Sequence, residues 1–388
     1  GGALEFFDFI IYVFFAAVLG QLFFPPELPE WARQLQTFGV FAAGYLARPF
    51  GGIVLAHFGD KIGRKRMFTF SILLMAVSTL GMGLLPTYAD IGLVAPILLL
   101  VLRILQGAAI GGQVPGAWVF VAEHVPPNRI GIACGAVTCG LTTGILLGSL
   151  TATGLNAIFT PDEILARAWR GPFLLGGAFG LTAAYLRRWL TETPVFLALK
   201  ERKALSKELP LRVVARHHRS AVAVSMALTG LLSAGIIVLI LMMPTVLQKY
   251  FGFGVSESLN ASSWATLFLS VGCILAGAIA DRIGSARFFI LFSPIMGLLS
   301  LGMFLLLPTH PDWLYTLSAL VGLSVGVVGA VPHAMVHIFP TPIRFSGLST
   351  SYNLAYAVFG GLTPIAVTLI LQVSPIAPAF YVLLFGVV

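Results

Sequence analysis

Charge and cysteine are both scarce in this chain. Asp, Glu, Lys and Arg make up 10% of its 388 residues, and there are three cysteines. An ordinary soluble domain carries about 25% charged residues. Cys134, Cys139 and Cys273 all sit in apolar segments, so they offer neither a disulfide framework nor a metal-binding spacing. No catalytic triad, phosphate-cradling loop or metal constellation appears, and no aromatic-basic stripe of the kind that reads nucleic acid. The sequence therefore gives no basis for an enzyme, a cofactor, a bound metal or a nucleic-acid partner. What it has in abundance is hydrophobicity: 58% of residues, with a mean hydropathy of +0.95. A water-soluble core cannot hide that much apolar surface, so lipid is part of the solvent. The chain starts without Met and stops inside an apolar run, so both ends read as trimmed, and no signal peptide is visible.

A spanning helix needs about 20 mostly apolar residues. Twelve such stretches are expected, at 3–24, 36–58, 67–86, 91–124, 131–155, 169–190, 220–248, 258–280, 288–307, 313–339, 345–371 and 376–388, the last cut short. Thr191 to Arg219 is the longest polar stretch and splits the spans six and six, giving an N-terminal lobe at 1–190, a basic linker at 191–219 and a C-terminal lobe at 220–388. Of the 23 Lys and Arg, 17 fall in the loops on one side and four on the other. Basic loops stay on the cytoplasmic side. The excess of base is thus a topology signal, and both termini are expected in the cytoplasm of a multi-pass protein of the plasma (inner) membrane.

The chain repeats itself. "GDKIGRKRM" (59–67) has a second copy in "GAIADRIGSAR" (277–287), with Asp60-Lys61-Ile62-Gly63 matching Asp281-Arg282-Ile283-Gly284. "GAAIGGQVPGAWVFVAEHVPPNR" (107–129) aligns without gaps on "GLSVGVVGAVPHAMVHIFPTPIR" (322–344). Gly107, Gly111, Pro127 and Arg129 fall on Gly322, Gly326, Pro342 and Arg344. Two parallel halves with the same loop chemistry at one face describe a two-lobed transporter with its site between the lobes. In each loop the Asp can accept from backbone N–H groups at a helix start, where the helix dipole favours an anion, and the Gly permits a tight turn. The bases can pair across to Glu123. Asp60, Lys61, Gly63, Arg64, Arg66, Glu123, Arg129, Asp281, Arg282 and Arg344 are accordingly candidates for a latch between lobes. A static anchor that only sets topology is the plainer alternative.

Gly59–Arg66 resembles the signature loop of the major facilitator superfamily, and "RILQG" (103–107) resembles its helix-4 motif. More narrowly, "ALEFFDFIIY" (3–12), "ARPFGGIVLAHFGDKIGRKR" (47–66), "LQGAAIGG" and "PTPIRFSGLSTSYNLAYAVFGGLTP" (340–364) resemble the metabolite/proton symporters, which carry organic acids and zwitterions. The resemblance implies an all-α polytopic membrane protein with the major facilitator fold: twelve transmembrane helices in two six-helix lobes around a central cavity. This chain departs from the pattern at Ala56, where the loop motif begins with Gly. It departs again at Gln113, where the family has Glu after Gly-Gly, and at Ser285-Ala286-Arg287, a degenerate second copy.

Four ionisable residues lie inside spans of the first half: Glu5, Asp8, Arg48 and Arg103. Each costs about 2.5–3.5 kcal/mol at a helix centre, which excludes lipid-facing placement. They are the candidates for proton coupling, with Asp8 or Glu5 the titrating carboxylate and Arg48 or Arg103 biasing it. A permanent ion pair ordering the helices is the alternative. Tyr12, Arg103, Gln106, Gln113, Trp118, Trp264, Tyr352, Asn353 and Tyr356 are candidates for substrate contact. An arginine fork suits a carboxylate, while an aromatic cage suits a cationic or zwitterionic solute. The glycines at 140, 144 and 148 suggest a packing face. His333 and His337, four apart, lack the carboxylate of a zinc motif. The expectation is a secondary active transporter, a monomer in the bilayer, moving a small organic acid or zwitterion with a proton by alternating access. A uniporter or exchanger on the same fold remains open.

Overall fold

The structure, a computed structural model, describes residues 2–62, 64–187, 214, 216, 218–340 and 344–387. Side chains are described throughout these except at positions 2, 5, 56–62, 64–68, 186 and 187. Most of the 191–219 linker, Gly63 and the side chains of the 59–66 loop therefore lie outside the described residues.

Among the described residues the chain is helical, without strands. Helix α1 is bent by 69° between Phe6–Phe14 and Ala16–Phe23. It is followed by α2 (Glu30–Ile62), α3 (Arg64–Leu84) and α4, which is broken into Val94–Ile110 and Gln113–Ala122. The first half closes with α5 (Ile130–Ile158) and α6 (Arg170–Arg187). The second half opens with α7, which is Arg219–Ile236 and Met243–Phe251 joined by a π turn at Ile237–Leu241. Then come α8 (Val255–Ile283), α9 (Ser285–Leu306) and α10, broken into Leu314–Val325 and Val331–Ile338. Helix α11 is Arg344–Ala355 and Gly361–Leu371 joined by a π turn at Tyr356–Gly360, and α12 is Ala377–Val387. Eight of these are long and apolar enough to cross a membrane, nine with the bent α1; α3, α6 and α12 complete the expected spans as shorter or more polar helices.

The two halves are built alike. In the first, α2 packs on α4, α3 on α6 and α1 on α5. In the second, α8 packs on α10, α9 on α12 and α7 on α11. The aligned glycines explain the match. A Cβ on Gly107 would strike the Gly44 carbonyl of α2, and one on Gly322 would strike the Ala265 carbonyl of α8. At Gly111 and Gly326 both α4 and α10 lose regular α geometry. So the same residue type makes the same backbone-to-backbone approach, and the same break, in each lobe. On α5, Gly144 and Gly148 lie against α1, while Gly140 faces open space.

The lobes meet along two seams, α5 against α8 and α2 against α11. Thr142–Ser270 (2.8 Å) and Ser149–Ser263 (2.8 Å) hydrogen bonds run up the first seam. The outer surface carries exposed Phe50, Ile290, Leu298 and Leu369, the face that lipid covers.

Candidate functional site

Two arginines stand buried in the middle of the bundle, each wrapped by three rings. The Arg48 guanidinium carbon lies 4.4 Å from the Tyr356 ring centre, 5.2 Å from Tyr352 and 5.4 Å from Tyr45. That of Arg103 lies 3.9 Å from Phe9, 4.7 Å from Tyr12 and 5.1 Å from Phe41. Tyr45 joins the two cages. It meets Phe9 and Phe41 edge-on at 5.1 and 4.8 Å and stacks on Tyr356 at 5.5 Å. The helices dictate this arrangement. Phe9 and Tyr12 are one turn apart on α1, as are Phe41, Tyr45 and Arg48 on α2. Gly44 leaves the room that the Arg103 side chain occupies: a Cβ there would fall 2.9 Å from Nε. Tyr356 opens the π turn of α11, a distortion that often marks functional positions.

The cages differ in origin. Arg103 is enclosed by α1 and α2, within its own lobe. Arg48, on α2, is enclosed mainly by α11, from the opposite lobe. Trp118 on α4 extends the wall by meeting Tyr352 edge-on at 5.0 Å. Asn353 crosses the same seam, its Nδ2 donating to the Gly111 carbonyl at 2.5 Å where α4 breaks.

Arg103 is tied to α1 by Nη1, which donates to the Phe9 carbonyl at 2.8 Å and to Gln106 Oε1 at 2.9 Å. Gln106 in turn donates to Thr79 Oγ1 (2.7 Å) and to the Asp8 carbonyl (3.4 Å). Yet Nε and Nη2 of both arginines are buried without a hydrogen-bond partner, and no described carboxylate is ion-paired with either. Cation–π contact returns about 2 kcal/mol for a desolvated cation, while each unmet buried donor costs about 1–3 kcal/mol. The site is therefore short of acceptors.

The Asp8 carboxylate is buried but points elsewhere. A Cβ on Gly176 or Gly180 of α6 would lie 2.5 or 3.0 Å from its oxygens, so it rests against α6. Gln113 also faces inward within its lobe, donating to Ser71 Oγ of α3 at 3.1 Å. Glu5 lies on α1, its side chain outside the described ones. Trp264 does not belong with this group. It is 48% exposed on the outer face of α8, beside Phe268, because α8 buries its small residues Ala261, Ala265 and Thr266 toward α10 and the core.

A second cluster closes the end of the bundle that carries the basic loops. Asp281, at the end of α8, accepts from Gly131 N (2.7 Å) and Ile132 N (2.9 Å) at the start of α5. Those amides have no partner within their own helix. The second-copy loop thus grips a helix start in the other lobe. His333 Nε2 lies 3.6 Å from Asp281 Oδ1, and its Nδ1 meets Ser285 Oγ at 2.9 Å. Glu123 pairs with Arg344 at 3.7 Å across the seam between α4 and α11; Asp60, Lys61, Arg64 and Arg66 fall outside the described side chains. Arg129 and Arg282 are exposed beside the cluster. Among the described residues no group of three His, Cys, Asp or Glu could hold a metal.

The family model described as Major Facilitator Superfamily matches residues 6–365. The chain belongs to the major facilitator superfamily. A protein of Staphylococcus aureus (strain COL) assigned as a proline/betaine transporter is 32% identical, over 100% of this chain and 84% of that protein. The citrate-proton symporter of Klebsiella pneumoniae is also 32% identical, over 96% of this chain and 84% of its own length. Among solved structures, the proton:xylose symporter XylE bound to 6-bromo-6-deoxy-D-glucose superposes with a TM-score of 0.80 at 16% identity, over 100% of this chain and 90% of that one. The twelve helices therefore adopt the major facilitator fold, and the protein is a multi-pass membrane transporter rather than an enzyme.

The site holds residues that sequence reasoning missed. Tyr45, Phe9 and Phe41 were absent from the candidates, although Tyr45 lies three residues before Arg48 and so on its face. His333 beside Asp281 was equally unforeseen.

Proposed function

We propose that this major facilitator moves a small organic acid or zwitterion together with a proton across the plasma membrane by alternating access. In this reading the lobes are 1–190 and 220–388 joined by the linker at 191–219, the basic end and both termini face the cytoplasm, and the unit is a monomer embedded in lipid. The observation that carries it is the shared cage of Arg48: a cation of one lobe is held by Tyr352 and Tyr356 of the other. Movement of α11 relative to α2 dismantles that cage, so solute bound at Arg48 and the direction in which the cavity opens depend on each other.

Asp8 is the proposed proton carrier, with Glu5 as its neighbour on α1. Arg103 is bonded to the Phe9 carbonyl, one residue from Asp8, and Gln106 bridges Arg103 to the Asp8 carbonyl. A change of charge at Asp8 shifts the balance of attraction on Arg103, and a solute that engages Arg103 shifts it back. Asp281, Glu123 and Arg344 latch the basic end while the other end admits solute, joined by the bases of the 59–66 loop. The relatives support the reading: one is assigned to proline/betaine transport, the other is a citrate-proton symporter.

The test is uptake into vesicles holding the purified protein under an imposed inward proton gradient. Accumulation above the external level that collapses with the gradient, and that is lost in Asp8→Asn and Arg103→Ala, is expected. Uptake indifferent to the gradient, or intact in both variants, would reject the coupling group.

A further inference from the structure

We propose that the solute seated between Arg48 and Arg103 bears two carboxylates, one for each guanidinium, and that a net-neutral betaine or amino acid is a poor ligand. This rests on the box formed by the rings around Arg48 and Arg103 being the solute site of the proposed transporter. Three observations carry it.

The first is the supply of donors. Among the described residues around these rings, the unpartnered buried donors are Nε and Nη2 of Arg48, Nε and Nη2 of Arg103 and Nε1 of Trp118, and they outnumber the unpartnered amide acceptors, Asn353 Oδ1 and Gln113 Oε1. An arginine cannot give up its proton to escape this. Only an acceptor-rich solute satisfies such a set, and the planar fork matches a carboxylate with two parallel bonds.

The second is charge. Two buried cations sit near one another with no described carboxylate paired to either, and Gln113 is neutral. The Asp8 carboxylate rests against Gly176 and Gly180 of α6. A solute with two negative charges balances both guanidiniums. A zwitterion balances one and introduces a third cation beside the other.

The third is the rings. Quaternary ammonium groups are usually received on aromatic faces. Here the chain's own guanidiniums already engage those rings, and other faces are stacked on one another, Tyr45 on Tyr356 and Tyr12 on Phe41. The box resembles an ammonium cage already filled from within. This sets the chain apart from the chemistry named for its Staphylococcus relative.

The experiment is equilibrium binding to the purified protein in lipid nanodiscs, with succinate, glutarate, lactate and glycine betaine as probes. One of the two dicarboxylates is expected to bind more tightly than lactate, and glycine betaine to bind most weakly. Arg48→Gln and Arg103→Gln should each weaken the dicarboxylate by about 10- to 100-fold. Arg48→Lys and Arg103→Lys, which keep the charge and lose the fork, should fall between; they carry the comparison if the Gln variants do not purify as single species. Glycine betaine binding as tightly as either dicarboxylate, no carboxylate binding at all, or dicarboxylate binding unaltered in the Arg variants would overturn the proposal. The two readings separate cleanly. Dicarboxylate binding without gradient-driven uptake would sink the transport mechanism and keep this inference. Gradient-driven betaine uptake with no dicarboxylate binding would do the reverse.

Discussion

Replacing Asp281 by Ala removes the carboxylate that, among the described residues, ties the end of α8 to the start of α5. The bonds lost are those from Gly131 N and Ile132 N, at 2.7 and 2.9 Å. Each is a hydrogen bond to a charged acceptor, worth about 1.5–3 kcal/mol. Ile132 is 40% exposed, so water replaces part of what is lost there, and about 2–4 kcal/mol in total is a reasonable figure for the pair. His333 sits in the same lobe as Asp281, so its contact survives opening and does not enter the sum. Because α5 and α8 belong to different lobes, the whole loss falls on the state in which the basic end is closed. The ratio of closed to open molecules should therefore drop by about 30- to 700-fold. Spin labels on Asn128→Cys and Ala286→Cys, both exposed at that end, report the lobe separation once Cys134, Cys139 and Cys273 are replaced. The distance distribution should gain a longer component in Asp281→Ala and an intermediate one in Asp281→Asn, which keeps one acceptor. Identical distributions in all three proteins would refute the view that this carboxylate holds the end shut.

Two further outcomes follow from local geometry. Gly107→Ala and Gly322→Ala drive a Cβ into a carbonyl of the facing helix and should each destabilise by about 1–3 kcal/mol, whereas Gly140→Ala, in open space, should be silent in thermal unfolding. At the end opposite the basic loops, Asp90 accepts from Thr87 N and Thr87 Oγ1, which holds its carboxyl below the usual carboxylate range. That support is present above the unfolded-state pKa and is lost as pH falls through the lower folded one. Asp90→Asn should therefore melt below the parent at neutral pH, and the gap should close as the buffer is made strongly acid; a gap independent of pH would count against the cap.

The spans were legible because lipid selects for long apolar runs, the six-plus-six split because the polar stretch Thr191 to Arg219 interrupts them, and the likeness of the halves because the glycines of 107–129 recur in 322–344. Helix α2 starts at Glu30, six residues before its expected onset, since its first turns are polar and hydropathy does not register them. The orientation of side chains was harder to read. When a helix is apolar all round, composition does not say which face is inward, and for that reason the sequence leaves Trp264 among the candidates for substrate contact although it lies on the outer face. Asp8 illustrates a finer limit. One residue from Phe9, it is rotated about 100° around α1, into the space left by Gly176 and Gly180 on a helix whose approach no local pattern announces. The partners of Asp281 are backbone amides 149 and 150 residues away, and a backbone N–H has no signature in sequence. Arg48 and Arg103 were visible as charges, but the rings around them come from three helices, one in the other lobe.

The central claim is that solute entry carries a proton through Asp8, and pH-sensing dye trapped inside protein-bearing vesicles tests it directly. With no gradient imposed, adding a transported carboxylate outside should acidify the interior in the parent protein and leave it unchanged in Asp8→Asn. Solute that accumulates with no interior acidification, or acidification undiminished in Asp8→Asn, would contradict the account.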